Sequence, residues 1–180
     1  DYIARDTVYD HAGRIKEASL PYFSSGISKT TTSRNAYLFS RNYYDPLGRV
    51  VTQTDSTGTS TVLYEDWVER VTDKLGNVKD LHRDADGRLS TVVESNAGLY
   101  ATTSYEYSIV GNLTKITDAL GNIRNFTYDG LDRRLTAEDL HGSADATYGT
   151  WTYVYDDANN LTSRIDPKSQ TVDYTYDDIN

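Results

Sequence analysis

Acid–base chemistry in this sequence would have to begin from its three histidines, His11, His82 and His141. A histidine serves as a general base when a nucleophile lies within hydrogen-bond reach of its ring. No G-x-S-x-G motif supplies a serine, and the complete absence of cysteine excludes a thiol nucleophile. His11 and His141 fall inside predicted turns, and His82 lies just before one. We therefore interpret the turn histidines as solvated spacers, and the sequence predicts no enzyme.

Carboxylates are abundant, with 27 Asp and Glu residues, and some of them lie close together in sequence. A catalytic pair needs a shared cleft and pKa values that are pushed apart, which adjacent turn positions do not provide. Asp84-Ala85-Asp86-Gly87 resembles the first residues of a calcium-binding loop, but the later oxygen ligands and the terminal Glu of such a loop are missing. The sequence thus predicts structural turn carboxylates, with no metal and no cofactor.

Composition excludes further classes of function. With 18 Lys and Arg against 27 Asp and Glu, the formal charge is −9, which argues against a nucleic-acid partner. No stretch approaches the roughly 18 apolar residues that a membrane span needs. The 16 tyrosines favour a pleated, half-exposed surface, where the ring packs and the hydroxyl reaches solvent or a partner. We expect an all-β protein with a modest core.

One short pattern recurs along the chain: Asp or Ser, two variable residues, then Gly, Asn, Asp or Ser. Many occurrences follow one another at steps of 10 or 11 residues. An Asp at the first position accepts backbone N–H bonds within a turn, and a left-handed fourth residue completes a three-residue hairpin loop. Gly, Asn and Asp suit that fourth position, whereas Ser169 fits it poorly. The principal turn residues predicted in this way are Asp10, Gly13, Asp45, Gly48, Asp73, Gly76, Asp84, Gly87, Gly111, Asp118, Gly121, Asp129, Asp156 and Asn159. The same pattern predicts turns at Asp55–Gly58, Ser95–Gly98, Asp139–Gly142, Asp166–Ser169 and Asp177–Asn180.

The segments between the turns alternate with period two, as in Trp151–Tyr155, which predicts short strands. The turns themselves alternate in kind. One kind is preceded by an aromatic residue and often followed by Arg, as at Asp45–Gly48. The other is preceded by Thr or Ile, as at Asp118–Gly121. Each kind should lie along one edge of a long antiparallel meander, and a degraded turn of the first kind is expected near Tyr64–Asp66.

Two of the segments carry a specific family resemblance. Tyr43–Val50 (YYDPLGRV) and Tyr105–Leu113 (YEYSIVGNL) resemble the YD repeats of the Rhs family, which includes bacterial Rhs proteins, the B and C subunits of Tc toxin complexes and, more distantly, the animal teneurins. The resemblance implies a strongly twisted or spiralling β-sheet that forms a hollow shell, enclosing a toxin in the bacterial members. Only the repeat region is matched, because no counterpart of the family's effector-cutting segment is present.

From this resemblance we expect residues 1–180 to form a single YD-repeat segment, a fragment of a much larger chain that is secreted or displayed on a bacterial surface. Its role would be structural and non-catalytic. The implied partners are neighbouring repeats of the same polypeptide and an enclosed C-terminal effector. An alternative is a carbohydrate-binding or adhesion module that stacks glycans on exposed tyrosines. Unpaired edge strands near residues 2–9 and 171–177 also predict edge-to-edge self-association of the fragment.

Overall fold

The computed structural model describes residues 2–24 and 39–177 of the chain. All regular elements in these ranges are β-strands, so the predicted all-β class is confirmed. Within the same ranges the structure has no helix that is long and apolar enough to cross a membrane. The last predicted turn, Asp177–Asn180, ends outside the described residues.

The chain divides into two compact units, one formed by Asp1–His82 with Glu94–Tyr100 and the other by Arg83–Val93 with Ala101–Asn180. The strands of the first unit are β1 (Tyr2–Ala4), β2 (Thr7–Tyr9), β3 (Ile15–Ser19), β4 (Tyr22–Ser24), β5 (Phe39–Tyr44), β6 (Val50–Asp55), β7 (Gly58–Glu65), β8 (Val68–Thr72) and β9 (Val78–Arg83, whose last residue belongs to the second unit). Residues of β10 (Leu89–Asn96) and β11 (Leu99–Tyr107) contribute to both units. The second unit continues with β12 (Leu113–Thr117), β13 (Asn122–Tyr128), β14 (Arg134–Glu138), β15 (His141–Gly142), β16 (Thr150–Tyr155), β17 (Leu161–Ile165) and β18 (Thr171–Asp173).

Strands that follow one another in sequence are hydrogen-bonded neighbours along almost the whole sheet, as short hairpin connections require. The path runs from β2 through β3 and β5 to β14, then through β16 and β17 to β18. β15 pairs with β13 beside this path, and β1 pairs with β4 in a separate two-stranded sheet. The predicted antiparallel meander is therefore confirmed.

In the part of the chain that the structure describes, few side chains are buried. The buried hydrophobic residues there are Ala18 in the first unit and the cross-strand neighbours Phe126 and Ala137 in the second. Large apolar side chains at the turn tips are exposed, with Leu75 at 88%, Leu120 at 87% and Leu47 at 78%. Most strand residues are instead half-buried. Because a domain ordinarily buries one sheet face against a second layer, each unit leaves sheet surface to be covered.

Candidate functional site: the Tyr-Asp turns

In most of the observed turns, the aspartate at the first position is the main hydrogen-bond acceptor. In the turn at Asp45, the carbonyl oxygen of Asp45 accepts from the Gly48 N–H at 3.0 Å, and the Asp45 N–H donates to the carbonyl of Arg49 at 2.9 Å. The carboxylate of Asp45 accepts from the backbone N–H of Arg49 at 2.9 Å and from its Nε at 2.7 Å. One side chain therefore closes the loop from both ends, which explains why Asp is needed there.

The fourth residue of these turns lies in the left-handed region. Gly48, Gly87 and Gly121 have φ of 85°, 78° and 80°. Where Gly is replaced, Asp132 and Asn159 adopt φ of 62° and 69°, as residues with short polar side chains can. Ser169 does so too, at 63°, although its residue type argued against this conformation. The same backbone hydrogen bonds close the turns that begin at Asp10, Asp45, Asp73, Asp84, Ser108, Asp118, Asp129, Asp156 and Asp166.

Three other predicted turns differ from this geometry. Asp55–Gly58 closes as a two-residue loop, because Asp55 pairs directly with Gly58. Between β10 and β11 the loop consists of Ala97 and Gly98, both at positive φ. The prediction of a turn at Asp139–Gly142 is wrong: Asp139 donates its N–H to the carbonyl of Gly149, and β15 forms inside this longer connection.

The degraded turn expected near Tyr64–Asp66 is present. Glu65 pairs with Val68, so Asp66 and Trp67 form a two-residue loop in which Asp66 has φ of 42°. A two-residue loop requires positive φ and not an Asp carboxylate that accepts hydrogen bonds from the turn. The Asp-x-x-Gly pattern is therefore absent there.

The tyrosine that precedes a turn aspartate binds the preceding turn of the same edge. Tyr44 Oη donates to the carbonyl of Ile15 at 2.7 Å, which lies just beyond the turn at Asp10. Four other tyrosines make the same bond to the second residue after a turn: Tyr107 to Leu89, Tyr128 to Leu113, Tyr155 to Arg134 and Tyr176 to Leu161, at 2.9 to 3.1 Å. The Tyr-Asp dipeptide thus joins two turns, since its Asp builds one and its Tyr holds the other.

The arginine after a turn strengthens the same connection. Arg133 Nε donates to the carboxylate of Asp129 at 2.7 Å, within its own turn. Its Nη1 donates to the carbonyl of Asp156 at 2.9 Å and to Asn159 Oδ1 at 3.0 Å, in the next turn of the edge. The guanidinium carbon also lies 5.0 Å from the ring centre of Tyr155. Arg14 on Tyr44, Arg49 on Tyr64 and Arg88 on Tyr107 stack similarly, at 4.3, 3.9 and 4.9 Å.

A β-bulge distinguishes the two kinds of turn. Beyond the turn at Asp129, Tyr128 pairs with Arg134 and Thr127 pairs with Thr136, so Leu135 is an extra residue in its strand. The register shifts in the same way before the turns at Asp10, Asp45, Ser108 and Asp156. No shift accompanies the turns at Asp73, Asp118 and Asp166. A bulge increases the local right-handed twist, so the turns preceded by an aromatic residue add twist at their edge.

The turn carboxylates remain ionised and act as hydrogen-bond acceptors. The hydrogen bond from the Arg14 side chain lowers the pKa of Asp10, and the side-chain amides of Asn77 and Asn122 lower the pKa of Asp73 and Asp118. A carboxylic acid that donates a proton in catalysis needs the opposite shift. This arrangement supports a structural role for these aspartates.

His141 was interpreted as a solvated spacer, and that interpretation is wrong. The residue is only 8% exposed, and its ring stacks on Tyr148 with centres 3.7 Å apart. Its Nε2 lies 3.1 Å from Glu138 Oε2 and its Nδ1 lies 3.0 Å from the carbonyl oxygen of Gly142. Both ring nitrogens therefore face acceptors, which fits the doubly protonated imidazolium.

Glu138 completes this cluster. Its Oε2 also accepts from the backbone N–H and the side-chain amide of Asn125, at 3.0 and 2.6 Å. Burial raises the pKa of Glu138, but the hydrogen bonds from His141 and Asn125 outweigh that effect and lower it overall. The hydrogen bond to Glu138 raises the pKa of His141. The cluster is a buried ion pair that ties the connection after β14 to β13, and the local sequence contains no signal of it.

The other histidines and the suspected calcium loop carry no site. His11 is exposed in the first turn, and His82 lies in β9. Asp84 and Asp86 both bind Arg88 Nη2, at 2.8 and 2.7 Å, so an internal cation occupies the place where a metal would have to lie. Across residues 2–24 and 39–177, no group of three or more His, Asp or Glu is arranged to hold a metal ion.

A surface hollow of about 610 Å³ in the first unit lies around the turn at Asp45. Pro46, Leu47, Arg49, Leu63 and Tyr64 are among its lining residues. The stacked side chains of Arg49 and Tyr64 form part of its wall, and they belong to the turn-to-turn contact described above. The hollow is therefore a by-product of the turn geometry.

Comparison with known proteins supports the repeat interpretation. The RHS repeat family matches residues 83–123 and again residues 107–144. The crystal structures of TcdB2-TccC3-TEV and of TcdB2-TccC3 each superpose with a TM-score of 0.56 at 16% identity, covering 89% of this chain and 10% of theirs. A Tc holotoxin pore structure from Photorhabdus luminescens gives a TM-score of 0.55 at 16% identity and covers 94% of this chain and 10% of that one.

At this identity the structural matches establish the fold alone, and this chain spans 10% of the length of each of those three structures. The family match spans the turns at Asp84, Ser108, Asp118 and Asp129 and includes the hydroxyl bonds of Tyr107 to Leu89 and of Tyr128 to Leu113. The resemblance to the YD-repeat family is therefore confirmed: residues 83–144 match the RHS repeat, and the sheet that contains them has the fold of a segment of the Tc toxin structures.

Proposed function

We propose that this chain is a non-catalytic wall segment of a much larger, secreted or surface-displayed RHS-repeat protein, in which residues 1–180 form one repeat segment that helps to enclose another polypeptide. The observation that carries the proposal is the turn-to-turn connection. Each Tyr-Asp unit binds the unit before it through its own backbone and side chains, as Tyr128 binds Leu113. Such a unit can be repeated indefinitely, since each one contacts chiefly its neighbours.

The scarcity of buried side chains supports the same role. Within the described residues no large side chain is fully buried, and Phe126 is the largest residue of the buried hydrophobic core. A wall between a chamber and solvent would have its inner face against the enclosed polypeptide and its edges against neighbouring repeats. The partners expected from this arrangement are neighbouring repeats and an enclosed effector.

Glycan binding has no comparable support. Stacking on a sugar needs an aromatic ring with an open face. Arginines cover several of the tyrosine rings, as at Tyr44 and Tyr155, and the hydroxyls of these two residues donate to main-chain carbonyls. These tyrosines therefore serve the sheet itself.

Limited proteolysis of the full-length protein tests the enclosure. An enclosed polypeptide should resist trypsin up to the temperature at which the repeats melt and be cleaved above it. A variant that melts earlier, Gly121→Val, should lower the cleavage temperature together with the melting temperature, whereas Gly130→Val in the neighbouring turn should change neither. If trypsin cleaves every segment outside the repeats as fast below the melting temperature of the repeats as above it, the proposal is overturned.

A further inference from the structure

One face of the sheet in the second unit combines aromatic rings with arginines. The register sets Phe126 opposite Ala137, Ala137 opposite Trp151, and Tyr153 opposite Arg164, so these side chains share a face. Arg124 lies two residues before Phe126 and therefore points the same way. We call this surface the aromatic–arginine face, and it consists of Arg124, Phe126, Arg134, Trp151, Tyr153 and Arg164.

The three guanidinium groups of this face stack on aromatic rings. The guanidinium carbon of Arg124 lies 5.3 Å from the ring centre of Phe126, that of Arg134 lies 4.6 Å from Tyr153, and that of Arg164 lies 5.2 Å from Trp151. The rings hold the guanidinium groups in place, because stacking suits their planar shape. A positioned arginine loses less conformational freedom when it binds a ligand.

These arginines lack the carboxylate partner that other arginines of the chain have. Arg133 and Arg88 each bind an aspartate of their own turn. Among the described residues, no carboxylate lies within ion-pair distance of Arg124 or Arg164, and the Nε of each is buried without a hydrogen-bond acceptor. The carboxylate of Asp139, beside this face, instead accepts from Trp151 Nε1 at 3.2 Å. Buried donors without partners are rare in native structures.

We propose that the aromatic–arginine face binds an extended, acidic polypeptide segment through its carboxylates. This inference rests on the proposed function, because it names the chemistry of the polypeptide that the wall would meet. A carboxylate accepts two parallel hydrogen bonds from one guanidinium. Arg134 on β14 and Arg164 on β17 are two strand spacings apart, about 10 Å. Acidic residues at alternate positions of an extended segment lie about 7 Å apart on one side, within reach of both arginines.

The charge of the chain selects a polypeptide over a nucleic acid. The whole chain carries a formal charge of −9, which repels a dense polyanion before it reaches three arginines. A short acidic peptide has fewer charges, and its apolar residues can pack on the exposed part of Val172, the cross-strand neighbour of Arg164. The face therefore combines a charged and an apolar contact.

Titration of the chain with a fluorescent peptide that carries glutamate at every second position tests the inference. Arg164→Gln should weaken binding about tenfold, as the loss of a charge-assisted hydrogen bond predicts. Lys168→Gln is the matched control, because it removes the same charge from an exposed turn of the same unit and should leave binding unchanged. A peptide with glutamine in place of glutamate should not bind.

Three outcomes would overturn the inference: equal weakening by Lys168→Gln, no binding of the glutamate peptide by the folded chain, or tighter binding of oligothymidylate than of the peptide. Circular dichroism of each variant shows whether its sheet is intact, and Arg164→Lys, which keeps the charge but not the planar donor pair, provides a second variant if Arg164→Gln fails to fold. If the peptide does not bind but the enclosed polypeptide is still protected from protease below the melting temperature, only the proposed role of this face is rejected. Failure of protection would reject the wall function.

Discussion

The hydroxyl of Tyr128 donates a hydrogen bond to the carbonyl oxygen of Leu113 at 2.9 Å and thereby joins two turns that are separated by a pair of strands. Asp129, the next residue, accepts the hydrogen bonds that close its own turn. Both residues act at the same edge, because the Tyr128 hydroxyl binds the residue beyond the preceding turn and the Asp129 carboxylate closes its own turn. The dipeptide is therefore the unit of cohesion along that edge.

Removing this hydroxyl should destabilise the chain without changing its fold. Tyr128→Phe leaves the Leu113 carbonyl without its donor, which should lower the free energy of unfolding by about 1 kcal/mol. Tyr43→Phe is the control, since Tyr43 is half-exposed and its hydroxyl makes no hydrogen bond within the described residues. Urea unfolding followed by circular dichroism measures both. Equal loss in the two variants would contradict the role of the Tyr128 bond.

Backbone conformation, and not side-chain space, should decide which residues are tolerated at Gly121. A Cβ at this position meets nothing within 4 Å, but φ is +80°. Gly121→Val should therefore lower the free energy of unfolding by about 1–3 kcal/mol through strain alone, and Gly121→Asn should lower it less. Gly130→Val, also in open space but without positive φ, is the matched control. Thermal melting that gives equal values for Val and Asn at position 121 would be inconsistent with the left-handed turn.

The Glu138–His141 pair should make stability depend on pH. The pKa of His141 is raised, so its contribution is complete below its unfolded value of about 6.5 and declines as the pH rises through the folded value. The pKa of Glu138 is lowered, so its contribution is complete above about 4.5 and declines as the pH falls. The pair should therefore stabilise the chain most between these two values.

The unmodified chain should lose melting temperature above about pH 6.5, and His141→Gln should remove that decline. His11→Gln should not, because His11 is exposed in its turn. Differential scanning fluorimetry from pH 5 to 9 compares the three proteins. A chain in which His11→Gln flattens the profile as much as His141→Gln would exclude the buried pair as its cause.

Lysine should replace an arginine without loss of stability only where that arginine does not bridge two turns. Arg133 binds its own turn through Nε and the next turn through Nη1, and lysine cannot do both. Arg133→Lys should lower the free energy of unfolding by about 1 kcal/mol. Arg134→Lys should have little effect on stability, because Arg134 is exposed and stacks on Tyr153 alone. The same urea titration decides between them, and the reverse order of effects would refute the bridge.

The isolated chain should associate through its sheet edges, because β2 and β18 lie at the two ends of the strand path. The N–H of Tyr174 donates to the carbonyl of Thr162, so Val172, two residues earlier and opposite Arg164, faces β17 in the same way. The alternate residues Thr171 and Asp173 therefore direct their N–H groups outward. Thr171→Pro removes one outward donor without a change of charge. Light scattering over a concentration series should show less association for this variant, and a strictly monomeric unmodified chain would contradict the prediction.

The amino-acid sequence by itself determines the strands and the turns. Asp45, Gly48 and Arg49 act within one five-residue loop, so their spacing suffices to predict the loop and the period of the meander. The identity of the repeat follows from the same local pattern, as the family match at residues 83–144 confirms. Hydrogen bonds within a turn can be predicted from the sequence because the residues that form them lie only a few positions apart.

Only the tertiary structure decides which distant groups meet. His141 binds Glu138 because the 139–149 connection folds back on β13, and the Asp139–Gly142 pattern predicted a turn there instead. Ser169 adopts the left-handed conformation because the turn around it is closed by Asp166, which outweighs the preference of serine. The stacking of Arg133 on Tyr155 spans 22 residues, and the unpaired state of Arg164 depends on which carboxylates the sheet register leaves out of reach. Contacts of this kind are set by strand pairing, in which a shift of one residue exchanges the two faces.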